Sequence, residues 1–422
     1  MSRTDCPHIV PFMTDMQDGQ HDERRATWLE LFFDLIVVAG TAQLAHLLHG
    51  GPDLVDLGLF TVLFFAFWTI WMCFTTYGDV AGARARTGTM LIGMLGMTVM
   101  AAAVAGVHEG RHLQSFAIWY VVLRFVVSNI WRGRGQVLID WPVAQFSMGT
   151  APWVVSIWVD GPARYWLWAA GLAIDLWTTL SFSAHRFQES FEARMFRTKR
   201  QAERHREHRG GPRRPVDITV AYTDSAHLGE RLGLFTIIVL GEGVAQLVSI
   251  GSGEEWDRTL QVLGFGGFLL LVSVWALSLV HGYGGVPNLR AAALPPRIVL
   301  FLHCVTNGAL VALAAGLGAA MEHRHGELPE SVRWLLCASF AAYVVIGLAG
   351  AVAAQLAAGA GLHRGVLVTH ALPPLAVALL TGLLGSRLPA AAVVWLLVAA
   401  ALWGLRGYLG RPARPSGELA AR

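Results

Sequence analysis

Charge is scarce in this sequence. Only 14% of its 422 residues are Asp, Glu, Lys or Arg, whereas 54% are hydrophobic, and the mean hydropathy is +0.49. Soluble domains carry about 25% charged residues, so this chain has too few of them to cover a water-facing surface. The composition excludes a soluble enzyme, a secreted disulfide scaffold and a nucleic-acid binder, and it predicts an integral membrane protein.

Cysteine, lysine and the common ligand-binding motifs are also scarce or missing. The four cysteines show no CxxC or CxxH spacing, so the sequence predicts neither a disulfide framework nor a zinc site. Lys199 is the sole lysine. There is no P-loop, no H-E-x-x-H and no G-x-S-x-G in a suitable setting. We therefore expect no cofactor and no metal, and any transport must be driven by an ion gradient or by the gradient of the solute.

Long apolar runs divide the chain into membrane spans of about 20 residues. We place helices at 27–48, 56–77, 88–107, 115–131, 140–159, 164–185, 222–250, 259–282, 297–320, 331–356, 366–384 and 389–408. The predicted fold class is an all-α polytopic membrane protein with about twelve transmembrane helices. Its parts are a polar leader (1–26), a first six-helix half (27–185), a basic connector (186–221), a second six-helix half (222–408) and a tail (409–422).

The arginines indicate the orientation, because basic residues accumulate in cytoplasmic loops. With a cytoplasmic N-terminus, the inside segments hold Arg24, Arg25, Arg84, Arg86, Arg132, Arg134, the connector, Arg290, Arg297, Arg364, Arg406 and Arg411. The outside loops hold single arginines, often beside acids. We expect a multi-pass protein of a bacterial cytoplasmic membrane with both termini in the cytoplasm, a lipid bilayer as its surroundings and no nucleic-acid partner. The sequence leaves the oligomeric state open.

The two halves begin alike. Glu30 is followed by Ala42-Gln43-Leu44, and Glu230 is followed by Ala245-Gln246-Leu247, with an offset of three residues. Because six spans is an even number, such halves share their orientation and are related by an axis along the membrane normal. We expect a six-plus-six parallel repeat, although chains rich in Ala, Gly and Leu also produce such matches by chance.

Several ionisable side chains lie inside the predicted spans, where each costs about 2.5–3.5 kcal/mol unless it is paired or hydrated. Glu30 and Asp34 are four residues apart on one face of the first helix, and His227, Glu230 and Arg231 cluster at the start of the seventh. Arg231 is the obvious counter-ion for Asp34 or Glu30 if these helices meet. The cluster is a candidate cation or gating site, or else a structural network that locks the halves together.

Glu242 is the best functional candidate. It lies about 18 Å along its helix from Glu230, too deep to reach the cytoplasmic interface, and Gly241 and Gly243 on either side leave room for a helix, a water or a ligand. We interpret it as a proton or cation coupling residue, with Gln43 and Gln246 as polar network candidates. The alternative is a protonated acid that bonds a neighbouring helix. The remaining polar residues of the spans are interpreted as packing contacts, with a pairing of Arg124 and Asp175 left open; they are Arg124, Asn129, Asp140, Asp175, His303, Asn307 and His370.

Two segments carry a family resemblance. Glu30-Leu31-Phe32-Phe33-Asp34-Leu35 and the run HLGERLGLFTIIVLGE from His227 to Glu242 resemble the hallmark segments of the bacterial low temperature requirement A (LtrA) family. The likeness covers about residues 25 to 408. It implies a polytopic bacterial inner-membrane protein linked to growth in the cold, and it supplies no molecular activity. Gly243 and the two residues after it stand where a serine is expected, which puts a hydroxyl-based site there in doubt.

Three functions remain open. The leading hypothesis is an ion-coupled secondary transporter or permease in which Glu242 exchanges a proton, Glu30 and Asp34 form a second site and Arg231 is their counter-ion. The first alternative is an intramembrane enzyme that acts on a lipid or isoprenoid, with Glu242 as general acid/base and His227 or Arg231 on the head group. This enzyme would need a lateral opening. The second alternative is a non-transporting protein of membrane stress or stability, so catalysis is left undecided.

Overall fold

A computed structural model describes residues 26–107, 109–134, 136–138, 140–145, 147–181, 219–283, 294–359 and 368–409. These ranges form a helical bundle. In chain order its helices are α1 (Trp28–His46), α2 (Leu54–Ala81), α3 (Thr87–Val104), α4 (Leu113–Arg134), α5 (Thr150–Ser156), α6 (Pro162–Ser181), α7 (Ser225–Gly253), α8 (Arg258–Trp275), α9 (Pro296–Glu322), α10 (Glu330–Ala357), α11 (Leu372–Leu384) and α12 (Ala390–Leu409).

Side-chain caps set where several of these helices begin. Thr27 and Glu30 form a capping box at α1, in which the Thr27 N–H donates to Glu30 Oε2 at 2.7 Å and the Glu30 N–H donates to Thr27 Oγ1 at 3.3 Å. Asp53, Asp224 and Asp257 cap α2, α7 and α8. Each cap satisfies N–H groups that have no partner inside the helix.

The described part of the chain contains nine helical segments that are long and apolar enough to cross a membrane. They are Trp28–His46, Leu54–Ala81, Thr87–Val104, Leu113–Trp131, Ser225–Gly253, Arg258–Val280, Pro296–Glu322, Glu330–Ala357 and Val368–Arg387. A shorter apolar helix, Ala390–Arg406, follows them. The prediction of an all-α polytopic membrane protein agrees with this coarse picture.

The fifth predicted span, 140–159, is wrong as a continuous helix. The chain forms a 3-10 turn at Pro142–Ala144 and then only the seven residues of α5. Pro142 lacks an N–H and disfavours helix in the residue before it, which explains the break. The Arg124 side chain donates from Nη1 to the Val143 carbonyl at 2.8 Å, so a buried carbonyl of the irregular segment keeps a hydrogen bond.

A two-stranded parallel sheet departs from the all-helical prediction. Strand β1 (Gln136–Leu138) pairs with β2 (Thr219–Ala221) in the register Gln136 with Thr219 and Leu138 with Ala221. Asp140 Oδ2 then accepts hydrogen bonds from the N–H and Oγ1 of Thr223, at 2.9 and 2.8 Å. The last residues of the predicted connector are therefore attached to the first half. Residues 182–218, which hold most of that connector, lie outside the described residues, as do the leader and most of the tail.

Helix α9 lies at the centre of the bundle. It packs on α7 and α10 and also contacts α1 and α2, so it joins the predicted halves. Helices α1 and α2 approach closely at Gly40, where an added Cβ would overlap the ring of Phe67. The same two helices are also joined by the hydrogen bond from the Trp71 indole N–H to Asp34.

We predict that Gly40→Ala lowers the thermal stability of the purified protein, because the buried Phe67 ring must shift, and overpacking of this kind costs about 1–3 kcal/mol. Gly58→Ala in α2 is the matched control, since nothing lies within 4 Å of an added Cβ there. It should be neutral or stabilising because alanine favours helix. Thermal unfolding in detergent micelles measures both, and equal unfolding temperatures would contradict the packing argument.

Candidate functional site

Five ionisable side chains from three helices meet near the first turns of α1 and α7. We call this group the inner charge cluster. Its members are Glu30 and Asp34 of α1, Asp79 of α2, and His227 and Arg231 of α7, and all five are buried. The cluster thus connects the first predicted half to the second.

Asp34 and Arg231 form a two-point ion pair. Arg231 Nη2 donates to Asp34 Oδ1 at 2.8 Å, and Nη1 lies 2.8 Å from Oδ2. Trp71 of α2 donates its indole N–H to Asp34 Oδ1 at 3.1 Å. The carboxylate therefore has partners from α7 and α2, and its position is fixed by all three helices.

His227 lies between two carboxylates. Its Nδ1 is 2.7 Å from Asp79 Oδ1, and its Nε2 is 3.6 Å from Glu30 Oε2. Asp79 Oδ2 also accepts the Asp224 N–H at 2.7 Å. The imidazole ring can donate a hydrogen bond from each nitrogen, one to each carboxylate, only when it is protonated. This geometry suits an imidazolium, which with Arg231 would balance two of the three carboxylates.

The cluster resolves the repulsion expected between Glu30 and Asp34. Each acid faces a different basic group, so the two carboxylates do not need to share one proton. Glu230, a predicted member, does not join them: it is half-buried and makes no hydrogen bond or ion pair with the described residues.

The sequence did not identify Asp79 as a site residue. Its signal is an acid inside an apolar run directly after Tyr77 and Gly78. Gly78 allows the Glu30 carboxylate of α1 to lie close to α2 at this level, because an added Cβ would be 3.2 Å from Glu30 Oε1. A search for every acid within the apolar runs would have found Asp79, but its pairing with His227 depends on how the helices pack.

His303 of α9 extends the polar contacts toward the middle of the bundle. Its Nδ1 accepts the Trp68 indole N–H at 3.2 Å, and its Nε2 lies 2.9 Å from the Leu232 carbonyl. Since an indole only donates and a carbonyl only accepts, Nε2 carries the proton and the ring is neutral. Both nitrogens are satisfied, which agrees with the interpretation of His303 as a packing contact.

Glu242 is isolated from the inner charge cluster. It lies on α7 about 16 Å from Arg231, is 6% exposed, and accepts one hydrogen bond, from Gln246 Nε2 to Oε1 at 2.6 Å. The two flanking glycines differ: a Cβ at Gly243 would press on Leu271 of α8, whereas Gly241 faces open space. Gly243 therefore serves helix packing, and only Gly241 leaves room beside Glu242.

The other glutamine of the predicted network lies apart. The half-buried Gln43 side chain makes no hydrogen bond with the described residues. Gln246, in contrast, packs against α9, where a Cβ at Gly318 would lie 2.9 Å from its Oε1. The structure therefore places Gln246 with Glu242 and leaves Gln43 outside both polar groups.

His49 lies in the turn after α1, on the same side of the bundle as Glu242. Both ring nitrogens are buried and lack hydrogen-bond partners among the described residues. Burial lowers the pKa of His49 below its ordinary value, and nearby His46 acts in the same direction, while the carboxylates of Glu322 and Glu242 oppose them. His49 is thus a neutral, under-bonded histidine within the electrostatic reach of Glu242.

Arg124 and Asp175 form a second buried ion pair, at 3.1 Å, between α4 and α6. Asp175 borders a cavity of about 210 Å³ between α2, α6 and α9. The cavity wall also includes Trp68, Trp141 and Phe301. In the part of the chain that the structure describes, no three His, Cys, Asp or Glu residues are arranged to hold a metal ion.

Comparison with known families agrees with the two hallmark segments that meet at this cluster. The family model of bacterial low temperature requirement A protein (LtrA) matches residues 25–402. The chain belongs to the LtrA family. Both segments that carried the resemblance, Glu30 to Leu35 and His227 to Glu242, lie within the matched range, and they supply four of the five residues of the inner charge cluster.

The LtrA chain also resembles a curated protein, uncharacterized protein RA0937 of Rhizobium meliloti (strain 1021). The two are 26% identical over 274 residues, which cover 60% of this chain and 58% of the relative. The chain therefore matches less than two thirds of that relative's length. No solved structure gives a significant match.

We predict that Arg231→Met destabilises this LtrA protein by about 3–5 kcal/mol, because it leaves the Asp34 carboxylate buried without its cation. Adding Asp34→Asn should recover most of the loss, since asparagine still accepts the Trp71 N–H without a charge. Glu254→Gln, in the more exposed pair that Glu254 makes with Arg324 at 2.7 Å, is the control and should cost less than about 1 kcal/mol. Thermal unfolding of the wild type, Arg231→Met, Asp34→Asn, the double variant and Glu254→Gln tests this, and additive effects of the two single substitutions in the double variant would refute the coupling.

Proposed function

We propose that this LtrA protein is an ion-coupled secondary transporter in which Glu242 takes up and releases the coupling proton. The observation that carries the proposal is the isolation of Glu242: a buried acid deep in a membrane span, with one neutral hydrogen-bond partner and no basic residue paired with it in the described chain. A carboxyl group without a paired base in a membrane span can exchange a proton without breaking an ion pair. For this reason we assign the coupling proton to Glu242.

Gln246 fits both states of such a residue. Its amide N–H donates to the carboxylate, and its carbonyl oxygen accepts from the protonated acid after the amide turns over. The side chains of Glu242 and Gln246 can thus keep one hydrogen bond between them in either protonation state of the acid. A lysine or arginine at position 246 would instead hold the acid permanently ionised.

His49 supports a proton route from the side of the α1–α2 loop. Its two nitrogens have no partners in the described chain, and its ring is neutral, so one nitrogen accepts a proton while the other carries one. Glu322 at the end of α9 acts on the same ring. We place His49 between the surface and Glu242 on this route.

The neighbour relations of the helices support the six-plus-six parallel repeat with twelve helical elements, α5 being the short one. In the first half α1 packs on α3, α3 on α4, α4 on α5 and α5 on α6. In the second half α7 packs on α9, α9 on α10, α10 on α11 and α11 on α12. The same sequence of partners in both halves is expected of an internal repeat, and transporters built from repeats bind substrates and ions near the repeat interface.

The cavity beside Asp175 is the best location for the transported solute. It borders helices of both halves, and its wall includes the aromatic side chains of Phe65, Trp68, Trp141 and Phe301. Arg124 already neutralises the Asp175 carboxylate, so the site favours an uncharged solute that donates a hydrogen bond. A cavity of about 150 Å³ holds benzene, so about 210 Å³ suits a molecule of slightly more than one ring.

The enzyme alternative has one observation in its favour, an apolar cleft of about 820 Å³ between α2, α9 and α10 that could admit a lipid chain. However, Glu242, His227 and Arg231 are absent from its lining, and the general acid/base would be out of reach of a bound lipid. We therefore prefer transport. The non-transporting alternative assigns the inner charge cluster a purely architectural role and predicts no flux.

We predict that Glu242→Gln abolishes proton-coupled flux in liposomes while the protein still folds, since glutamine keeps the shape and the hydrogen bond to Gln246 but cannot exchange a proton. Purified protein is reconstituted with an internal pH-sensitive dye, and proton and cation gradients are imposed in turn. Glu230→Gln is the matched control on α7, because this half-buried acid has no ion-pair partner in the described chain.

The outcomes separate the three functions. Flux lost in Glu242→Gln and kept in Glu230→Gln supports the coupling role. Flux unchanged in both variants would remove Glu242 from the mechanism. No flux in the wild-type protein under any gradient would reject transport and favour the enzyme or the architectural function, which analysis of membrane lipids after gene removal would then distinguish.

We also propose that both termini lie in the cytoplasm of a bacterial inner membrane. In a Cys6→Ser background, Glu255→Cys in the α7–α8 loop should react with a membrane-impermeant maleimide in intact spheroplasts, because this loop faces outward under the positive-inside rule. Ser190→Cys in the basic connector should react only after permeabilisation. Cys73, Cys304 and Cys337 are buried and give little background. The reverse labelling pattern would invert the topology.

A further inference from the structure

The cleft between α2, α9 and α10 runs along the seam of the two halves. Its walls come from α2 of the first half and α10 of the second, and α9 forms its floor at Gly308 and Ala312. With a volume of about 820 Å³ it is far larger than the cavity beside Asp175. It is also separate from Glu242 and from the inner charge cluster, so the proposed function leaves it without a role.

The cleft opens sideways, toward the surroundings of the bundle. Leu54 is 86% exposed, and Thr61, Ala338 and Ala342 along the walls are exposed as well. These residues belong to two of the segments that are apolar enough to span a membrane. What faces this opening in a bilayer is therefore hydrocarbon, and a ligand can enter without crossing water.

The cleft is at least as long as one leaflet is thick. On α2 it extends from Leu54 to Phe65, about 16 Å at 1.5 Å per residue, and on α10 from Ser331 to Ile346, about 22 Å. The hydrocarbon core of a bilayer is about 30 Å thick, so a leaflet contributes about 15 Å. A single extended acyl chain would lie along the cleft from its mouth to its deep end at Phe65 and Ile346.

The mouth of the cleft is polar and acidic. Asp53 and Ser331 line it, and Asp56 follows in the first turn of α2. Asp53 Oδ1 accepts the N–H groups of Val55 and Asp56, at 2.7 and 2.8 Å, so the helix cap fixes the carboxylate at this edge. A head group with a protonated amine is attracted here, whereas an anionic head group without an amine is repelled.

The cleft has apolar walls, opens sideways to the bilayer, is at least one leaflet long and has an acidic mouth. We therefore propose that it binds one acyl chain of an amine-bearing phospholipid from the leaflet at the α1–α2 loop. The chain lies between α2 and α10 and separates the two halves along the seam. The ammonium of the head group lies at Asp53. Phe65 borders both the cleft and the cavity beside Asp175, so the end of the chain contacts a shared wall.

Native mass spectrometry of the full chain in detergent tests the binding, with phosphatidylethanolamine and phosphatidylglycerol of identical acyl chains as probes. We expect one tightly retained phosphatidylethanolamine, and we expect Ala342→Phe to weaken its binding by about tenfold or more by filling the cleft. Ala349→Phe is the control, because Ala349 is an exposed alanine of the same helix outside the cleft lining. Ala338→Phe, closer to the mouth, provides a second occlusion if the first variant fails to fold.

Asp53→Asn tests the head group separately. Asparagine caps helices as well as aspartate does, so the fold is kept while the charge is lost, and the preference for phosphatidylethanolamine over phosphatidylglycerol should fall by about threefold. Equal lipid affinity of wild type, Ala342→Phe and Ala338→Phe would overturn the proposal. So would a wild-type dimer that Ala342→Phe dissociates, since the cleft would then be an interface between copies. Neither result depends on whether the protein transports an ion.

Discussion

A buried charge inside a bilayer must be paired, and the ion pair between Asp34 and Arg231 meets this requirement by joining α1 to α7. Arg231 is 1% exposed, and Asp34 is held by two helices besides its own. Because this ion pair forms at one level of the membrane, it fixes the register of α1 against α7. His227 and Glu30 then meet one turn closer to the helix starts, where Asp79 completes the group.

The same rule explains the other polar contacts of the interior. The chain breaks at Pro142, and the Arg124 guanidinium supplies the donor that the Val143 carbonyl would have had in a continuous helix. Asp175 in turn neutralises Arg124. In the sequence Arg124 and Asp175 are isolated charges. In the structure they act together, because both stabilise the irregular segment that passes through the bundle.

Composition and apolar runs predicted the membrane class and most helices, because the hydrophobic thickness of a bilayer restricts both length and residue type. The charge spacing also predicted that Arg231 meets Asp34 or Glu30 if α1 and α7 touch. The sequence did not reveal the break near Pro142, since hydropathy averages over a window and ignores a single missing N–H. Nor did it reveal the sheet between β1 and β2, whose strands are 80 residues apart and have three residues each. Asp79 was missed for a related reason: its partners come from other helices, and only packing brings them together.

The contrast between the two polar regions bears on where function lies. In the inner charge cluster each acid faces a basic side chain or several donors, so a change in protonation there would leave a buried charge without its partner and loosen the contact of the halves. Glu242 has one amide partner, and the ring nitrogens of His49, which lies within its electrostatic reach, have no hydrogen-bond partner in the described chain. A proton can move onto or off these groups without breaking an ion pair that holds helices together. The inner charge cluster is thus suited to hold the two halves together, and the proton exchange that we propose is assigned to Glu242, where no ion pair between helices would be broken.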